Sequence, residues 1–288
     1  MRKSYLLAFS SIFIWSTLAT VSKLLLHNLN GIYVLFISSF FATVFLFIIN
    51  LLKGKLKNLK EYKVKDYIIT MLIGIIGIFI YYLFYYWGSN HLLASQAFTI
   101  NYLWPIMSII FACIILKEKI TLQKVIAIAL SFLGVFFVAG NLFSATSIEV
   151  IYGVLFCLLS AISYGLFTAL TQLTNYDKSI SMMFFNFASF VLSGIILLFI
   201  PNKFLLSPLE MIGLAYNGIF IMAIASTTWA LALESGKTAK ISNLAYITPF
   251  ISLIWSSVIL NEKISYFSFI GLSLIVLGIL IQCFKIKK

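Results

Sequence analysis

Ten apolar runs, each close to twenty residues, follow one another along this chain with only short polar turns between them. About 20 apolar residues rising 1.5 Å each cross a hydrocarbon core of about 30 Å as a helix, whereas a membrane strand needs only about ten. The spans read from the sequence are 4–26, 32–52, 67–88, 92–116, 122–140, 150–173, 180–200, 209–233, 238–260 and 265–284. Apolar residues make up 62% of the chain and charged residues 10%, against about 25% charged in an ordinary soluble domain. A water-soluble fold of this size has no interior large enough for that much hydrocarbon, and one span or a surface helix does not account for it. The expected fold is an all-α integral membrane protein with ten transmembrane helices. Met1 to Lys3 followed by an apolar stretch imitates a signal peptide, but Ser4 to Leu26 is too long for its apolar region and reads as the first helix.

The net charge of +12 raises the question of nucleic acid, which calls for basic residues gathered on one folded polar face. Here they are dispersed between spans. Of the 20 Lys and Arg, all but Lys23, Lys203 and Lys263 fall on the side of the membrane that holds both termini. Lysine and arginine collect in short cytoplasmic loops, so both termini are expected in the cytoplasm, with the chain as a multi-pass protein of the cytoplasmic membrane. The expected partners are a small solute and the bilayer, not nucleic acid. Cys113, Cys157 and Cys283 lie inside apolar spans without metal or disulfide spacing and read as small core residues.

A repeat is visible. The segment Asn101-Tyr102-Leu103-Trp104-Pro105 through Leu116-Lys117-Glu118-Lys119 aligns without gaps, 144 residues on, with Ala245-Tyr246-Ile247-Thr248-Pro249 through Leu260-Asn261-Glu262-Lys263, and carries Gly134 onto Gly278. The beginnings match more loosely, Ser11 to Leu18 corresponding to Ser160 to Phe167. Two halves follow, 1–145 and 146–288, of five spans each. Because five is odd, the second enters the membrane from the opposite side, giving an inverted pair around a central cavity.

These two Pro-to-Glu blocks, each closing a fourth span with Leu-x-Glu-Lys, together with an aromatic residue near the start of each half, resemble the EamA-type branch of the drug/metabolite transporter superfamily over nearly the whole chain. The block Asn101 to Pro105 is similar to that of its exporters of aromatic amino acids and of the cation paraquat. The resemblance implies ten helices around a cavity lined by Tyr81, Tyr82 and Tyr85 of the third span, Tyr102 and Trp104 of the fourth, and Tyr164 of the sixth. Tyr164 stands where a second indole is expected.

The residues themselves support part of this. Tyr81 and Tyr85 share a helical face with Tyr82 beside it, deep enough in the span to stack on flat or cationic solutes. Tyr86 and Trp87, nearer the span end, suit the interfacial aromatic belt. Trp15 and Trp229 suit the cavity wall or ordinary packing. Asn101, with Asn243 near its counterpart, suits either an interhelical hydrogen bond or a substrate carboxylate or amine. Pro105 and Pro249 break their helices, which a membrane tolerates where protein or a wet cavity meets the freed carbonyls, and are read as hinges. Glu118 and Glu262 each end a span beside a lysine. They suit a cap or ion pair between the halves, or a part in gating. Lys23 is expected to snorkel to the outer interface.

All eight acids lie in loops or at span ends, so no mid-membrane proton relay is evident. There is no Walker loop, HExxH or GxSxG. The expectation is therefore no catalysis, no cofactor and no metal. The chain reads as a transporter that exports small metabolites, aromatic or amphipathic amino acids first among them, by alternating access. The alternatives are a carrier of another class (nucleoside, polyamine or neutral amino acid) or, more distantly, a membrane-embedded enzyme acting on lipid.

Overall fold

A computed structural model describes residues 2–143, 147–200, 206–233 and 243–283. Lys203, Lys237, Lys240 and the C-terminal lysines counted above fall outside these residues, as does the side chain of Asn243. All regular elements among the described residues are helical. They are α1 (Arg2–Ser16), α2 (Leu18–Leu26), α3 (Gly31–Leu52), α4 (Val64–Gly74), α5 (Tyr81–His91), α6 (Ala94–Asn101), α7 (Trp104–Ile115), α8 (Leu122–Phe143), α9 (Ile148–Thr171), α10 (Lys178–Leu197), α11 (Pro208–Tyr216), α12 (Ser226–Leu233), α13 (Thr248–Leu260) and α14 (Tyr266–Cys283). Several of these run on from one another, and seven of the resulting helices are long and apolar enough to cross a membrane; three shorter apolar helices cover Leu122–Val138, Thr248–Leu260 and Tyr266–Ile281.

Local chemistry sets the helix ends. The side chain of Asn30 accepts the Ile32 N–H to start α3, and that of Asp177 accepts the Ser179 and Ile180 N–H groups to start α10. Ser207 and Glu210 form a reciprocal capping box at α11, with Pro208 in its first turn.

The 144-residue offset seen in the sequence recurs in the backbone. Lys117 and Asn261 both take positive φ, 54° and 53°, and the N–H groups after them, of Glu118 and Glu262, reach back to the Ala112 and Ser256 carbonyls. These are the same left-handed helix stop, twice. A π-helical segment, Ile75–Ile80, joins α4 to α5, and another, Asn217–Ala225, joins α11 to α12 at the matching place.

Packing shows the same exchange. Gly74 lies against Phe185, and Gly218 against Ser38 and Phe41, which is Phe185 shifted by 144. On α8 and α14, Gly134 meets the Gly271 carbonyl while Gly278 meets the Ala127 carbonyl. Ser131, between them, donates to the carbonyl of its own counterpart, Ile275. Without the glycine hydrogens these backbones would not approach so closely.

Candidate functional site

A cavity opens where α1, α2, α5, α6, α7, α9 and the starts of α12 and α13 meet. One wall is aromatic and comes from the third and fourth spans, in Tyr81, Tyr82, Phe98, Tyr102 and Trp104, with the Asn101 amide among them. The facing wall is small, in Ser226, Ala245 and Thr248, and Trp15 and Tyr164 complete the ring. No charged side chain lines the space. Its free volume is about 50 Å³, room for a few waters at roughly 10–15 Å³ each.

The fourth span is divided to make this wall. After Asn101 the helix gives way to a turn at Tyr102 and Leu103 and restarts at Trp104. Pro105 therefore stands in the first turn of α7, where a missing N–H leaves no intrahelical bond unmade. In the second half a 3₁₀ turn, Asn243–Ile247, precedes Thr248 and Pro249, again in the first turn. Each proline sits just past a break at the cavity.

Hydrogen bonds hold the aromatic wall in place. The Asn101 Nδ2 donates to the Tyr81 hydroxyl at 3.0 Å, and Ser160 Oγ lies 3.0 Å from both the Asn101 Oδ1 and the Tyr81 carbonyl. The Tyr102 hydroxyl donates to the Ala245 carbonyl, tying one wall to the other. Ser163 Oγ donates at 2.6 Å to the Ile76 carbonyl inside the π-helical segment. The rings then pack on one another, Trp104 on Tyr164 and Tyr81 on Tyr82 edge to face and Tyr81 on Tyr164 tilted. Tyr81 and Tyr164 have centroids 4.7 Å apart, Trp104 and Tyr164 5.1 Å, and Tyr81 and Tyr82 4.8 Å.

Of the residues singled out from sequence, Tyr81, Tyr82, Asn101, Tyr102, Trp104, Tyr164 and Trp15 line the cavity. Tyr85 does not. It is fully buried one turn beyond Tyr81, outside the lining. Tyr86 is also fully buried rather than interfacial, its hydroxyl accepting from Asn217 Nδ2 at 2.8 Å. Trp229 packs on Trp15 at 5.5 Å. Glu118 pairs with Lys124 at 2.8 Å, not with either adjacent lysine. Glu262 accepts the N–H groups of Ala94 and Ser95. Lys23 donates to the carbonyls of Ser89 and Leu92 at the C-terminal end of α5. The small wall, Ser226, Ala245 and Thr248, escaped sequence reading. The repeat held the signal, since these positions are Tyr82, Asn101 and Trp104 shifted by 144. No group of His, Cys, Asp and Glu able to hold a metal occurs among the described residues.

Comparison with known proteins agrees on the class. The model of the EamA-like transporter family matches residues 2–140 and again 151–283. An uncharacterized transporter of Archaeoglobus fulgidus is 28% identical over 228 residues, covering 77% of this chain and 79% of its own. The uncharacterized transporter YoaV of Bacillus subtilis is 22% identical over 284 residues, covering 96% and 94%. An uncharacterized transporter of Clostridium kluyveri is 25% identical, covering 100% and 95%. One solved crystal structure superposes with a TM-score of 0.73 over 97% of this chain and 96% of its own at 19% identity, a likeness of fold.

Proposed function

The chain belongs to the EamA-like transporter family, and from that premise we propose that it exports small, flat or amphipathic metabolites, aromatic amino acids first among them, by alternating access. The architecture proposed is ten membrane spans in two inverted halves, 1–145 and 146–288, with both termini in the cytoplasm and the cavity at the pseudo-two-fold between them. The family model's match on each half, the doubled helix stop and the exchanged glycine contacts support it.

The single observation that carries the substrate reading is the chemistry of the lining. Five aromatic side chains form one wall, and no charged group faces the space. Such a surface recognises a planar apolar body by stacking and an amine by the ring faces, and leaves a carboxylate to neutral donors such as Thr248 and Ser226. A polyamine would find no carboxylate here. With no acid in the lining, transport is expected to proceed by uniport or exchange without a proton relay. Pro105 and Pro249, at the two breaks beside the cavity, are the proposed hinges, and Glu118 and Glu262 the proposed gating acids.

Efflux of radiolabelled phenylalanine, tryptophan and alanine from loaded proteoliposomes tests this, with and without a pH gradient. The expected outcome is aromatic-selective flux indifferent to the gradient, falling about tenfold in Trp104→Ala, the equivalent of ~1.4 kcal/mol, within reach of one lost stacking partner. If no aromatic amino acid moves, or Trp104→Ala behaves as the native protein, the substrate reading fails and only the transporter class stands.

A further inference from the structure

Two charged side chains from opposite halves of the molecule hold one turn. Between α5 and α6 the chain reverses at Leu92 and Leu93. Lys23 of α2 donates from Nζ to the Ser89 carbonyl at 2.7 Å and the Leu92 carbonyl at 2.6 Å, at the C-terminal end of α5. Glu262, just past α13, accepts the Ala94 N–H at 2.7 Å and the Ser95 N–H at 3.0 Å, at the start of α6. Helix ends leave just these carbonyls and N–H groups without partners, and the helix dipoles favour a cation at the first end and an anion at the second. Both contacts are charge-assisted hydrogen bonds. Among the described residues, repeat-related Glu118 pairs within its own half with Lys124, and its side chain is half exposed. Its symmetry-related targets, Thr238 and Ala239, lie outside the described residues.

A line of hydroxyls joins this staple to the cavity. Thr248, Ser252 and Ser256 follow one another on one face of α13, each about 6 Å further along the axis at four residues per step. All three are buried. Thr248 lines the cavity. The Ser256 carbonyl receives the Glu262 N–H. The hydroxyls of Ser252 and Ser256 have no hydrogen-bond partner, and neither do those of Thr20 and Ser22 on α2, against which this stretch of α13 packs. A buried hydroxyl without a partner is costly, and in native proteins each such group calls for an explanation. Thr20 and Ser22 lie about 200° apart around α2, so at most one of them faces α13; the pair on one face of α13, Ser252 and Ser256, is explained if water or a polar solute meets it in a second state of the protein.

We propose that the seam between α13 and α2 is the outer leg of the transport path, closed and dry in this state, and that Lys23 and Glu262 are the latch that closes it. A solute with a polar or zwitterionic head then leaves the aromatic cavity past Thr248, Ser252 and Ser256, its head bonding to the hydroxyls in turn while α6 and α13 part. The assignment of this end to the outside rests on the topology proposed above; the seam and the latch rest on geometry alone.

Thiol labelling tests this without reference to any substrate. In protein lacking Cys113, Cys157 and Cys283, Ser252→Cys is reacted with a membrane-impermeant methanethiosulfonate applied from outside to whole cells. Labelling is expected to be slow with Glu262 intact, and at least tenfold faster in both Glu262→Ala and, as an independent opening of the same latch, Lys23→Met. Ile254→Cys, on the exposed face of α13, is expected to keep its rate. Folding is checked by a single symmetric peak on size exclusion. Unchanged Ser252→Cys labelling in both latch variants overturns the proposal, as does equal acceleration at Ile254→Cys, which means general loosening. Labelling only from inside-out vesicles overturns the placement of the outer leg, while a failure of aromatic efflux leaves the labelling result untouched.

Discussion

Trp104 and Thr248 occupy equivalent positions in the two halves, and the difference between them makes one wall of the cavity aromatic and the other small. The free space of about 50 Å³ depends on that smallness. Thr248→Trp is therefore expected to fill it and abolish aromatic flux, whereas Thr248→Ser should keep most of it; efflux assays at equal protein density read the difference. Asn101 is satisfied at both ends of its amide by protein, through Tyr81 and Ser160, so it acts first as a strut for the wall. Tyr81→Phe retains the ring and strands the Asn101 donor. That is expected to lower stability by about 1–3 kcal/mol, read as a lower melting temperature in detergent, with little change in substrate preference. Most of the aromatic side of the cavity was legible, through the dense tyrosines of the third span and the family resemblance of the Asn101 to Pro105 block; Phe98 was not, since a lone phenylalanine is ordinary in a membrane span. Ser226, Ala245 and Thr248 were not, because small and hydroxyl residues occur throughout membrane helices and carry no signal singly. Tyr85 shows a different limit. Helical period tells which face a side chain shares with Tyr81, but not how far along that face the cavity extends.

Elements meet at contacts that leave no room for a methyl group. A Cβ on Gly165 would stand 2.3 Å from the Met107 Cβ and 2.7 Å from its carbonyl carbon, and the backbone of α7 cannot step aside as a flexible side chain can. Gly165→Ala is expected to push α9 from α7 at a cost of about 1–3 kcal/mol, visible as lost thermal stability and as weakened contact of Tyr164 with Trp104. A second element-level contact lies in the loops at the opposite end of the bundle from Glu262. Lys55 and Asp177 pair at 2.7 Å, and the Tyr176 hydroxyl donates to Asp66 at 2.7 Å, which holds the Tyr176 phenol up at about 12. Burial on its own would raise the Asp177 pKa, but the Lys55 ammonium and the Ile180 and Ser179 N–H groups outweigh it and hold the carboxyl below its ordinary value. A carboxyl depressed in the folded state stabilises above its unfolded pKa of about 3.9, and that stabilisation disappears as pH falls through the folded value. Asp177→Asn is therefore expected to melt lower than the native protein at pH 7 and to converge with it in strong acid; paired melting curves across that range check the sign. The π-helical segments were invisible in the sequence, since nothing in their composition separates them from ordinary apolar helix; only the backbone shows that the two occur at the same place in each half.

At the scale of the whole molecule, the run of apolar segments made the all-helical membrane class legible, because it follows from the bilayer as solvent, and the 144-residue repeat is the sequence ground for the two-part plan proposed above. They say nothing about how the two halves differ in a given state. One end of the bundle is stapled here, where Glu262 crosses to the other half, and the open form of that staple is the alternative arrangement. An alternating-access carrier works by biasing two such arrangements, and a ligand shifts that balance only by its differential affinity for the two states. The cavity here holds a few waters' volume, so an aromatic solute has to widen it, and widening parts the wall of α6 and α7 from α13. A loaded protein then releases the Lys23 and Glu262 latch more readily than an empty one. The consequence is an asymmetry between exchange and net flow, for in exchange the protein makes both crossings loaded, whereas net efflux requires an empty return. With labelled phenylalanine outside and unlabelled phenylalanine inside proteoliposomes, exchange is expected to exceed net efflux on the order of tenfold, about 1.4 kcal/mol of bias. Glu262→Ala should bring the two rates together by easing the empty crossing. Equal rates in the native protein would place the slow step elsewhere than the latch, and equal rates with no transient accumulation of label would point to a pore open at both ends instead of a carrier.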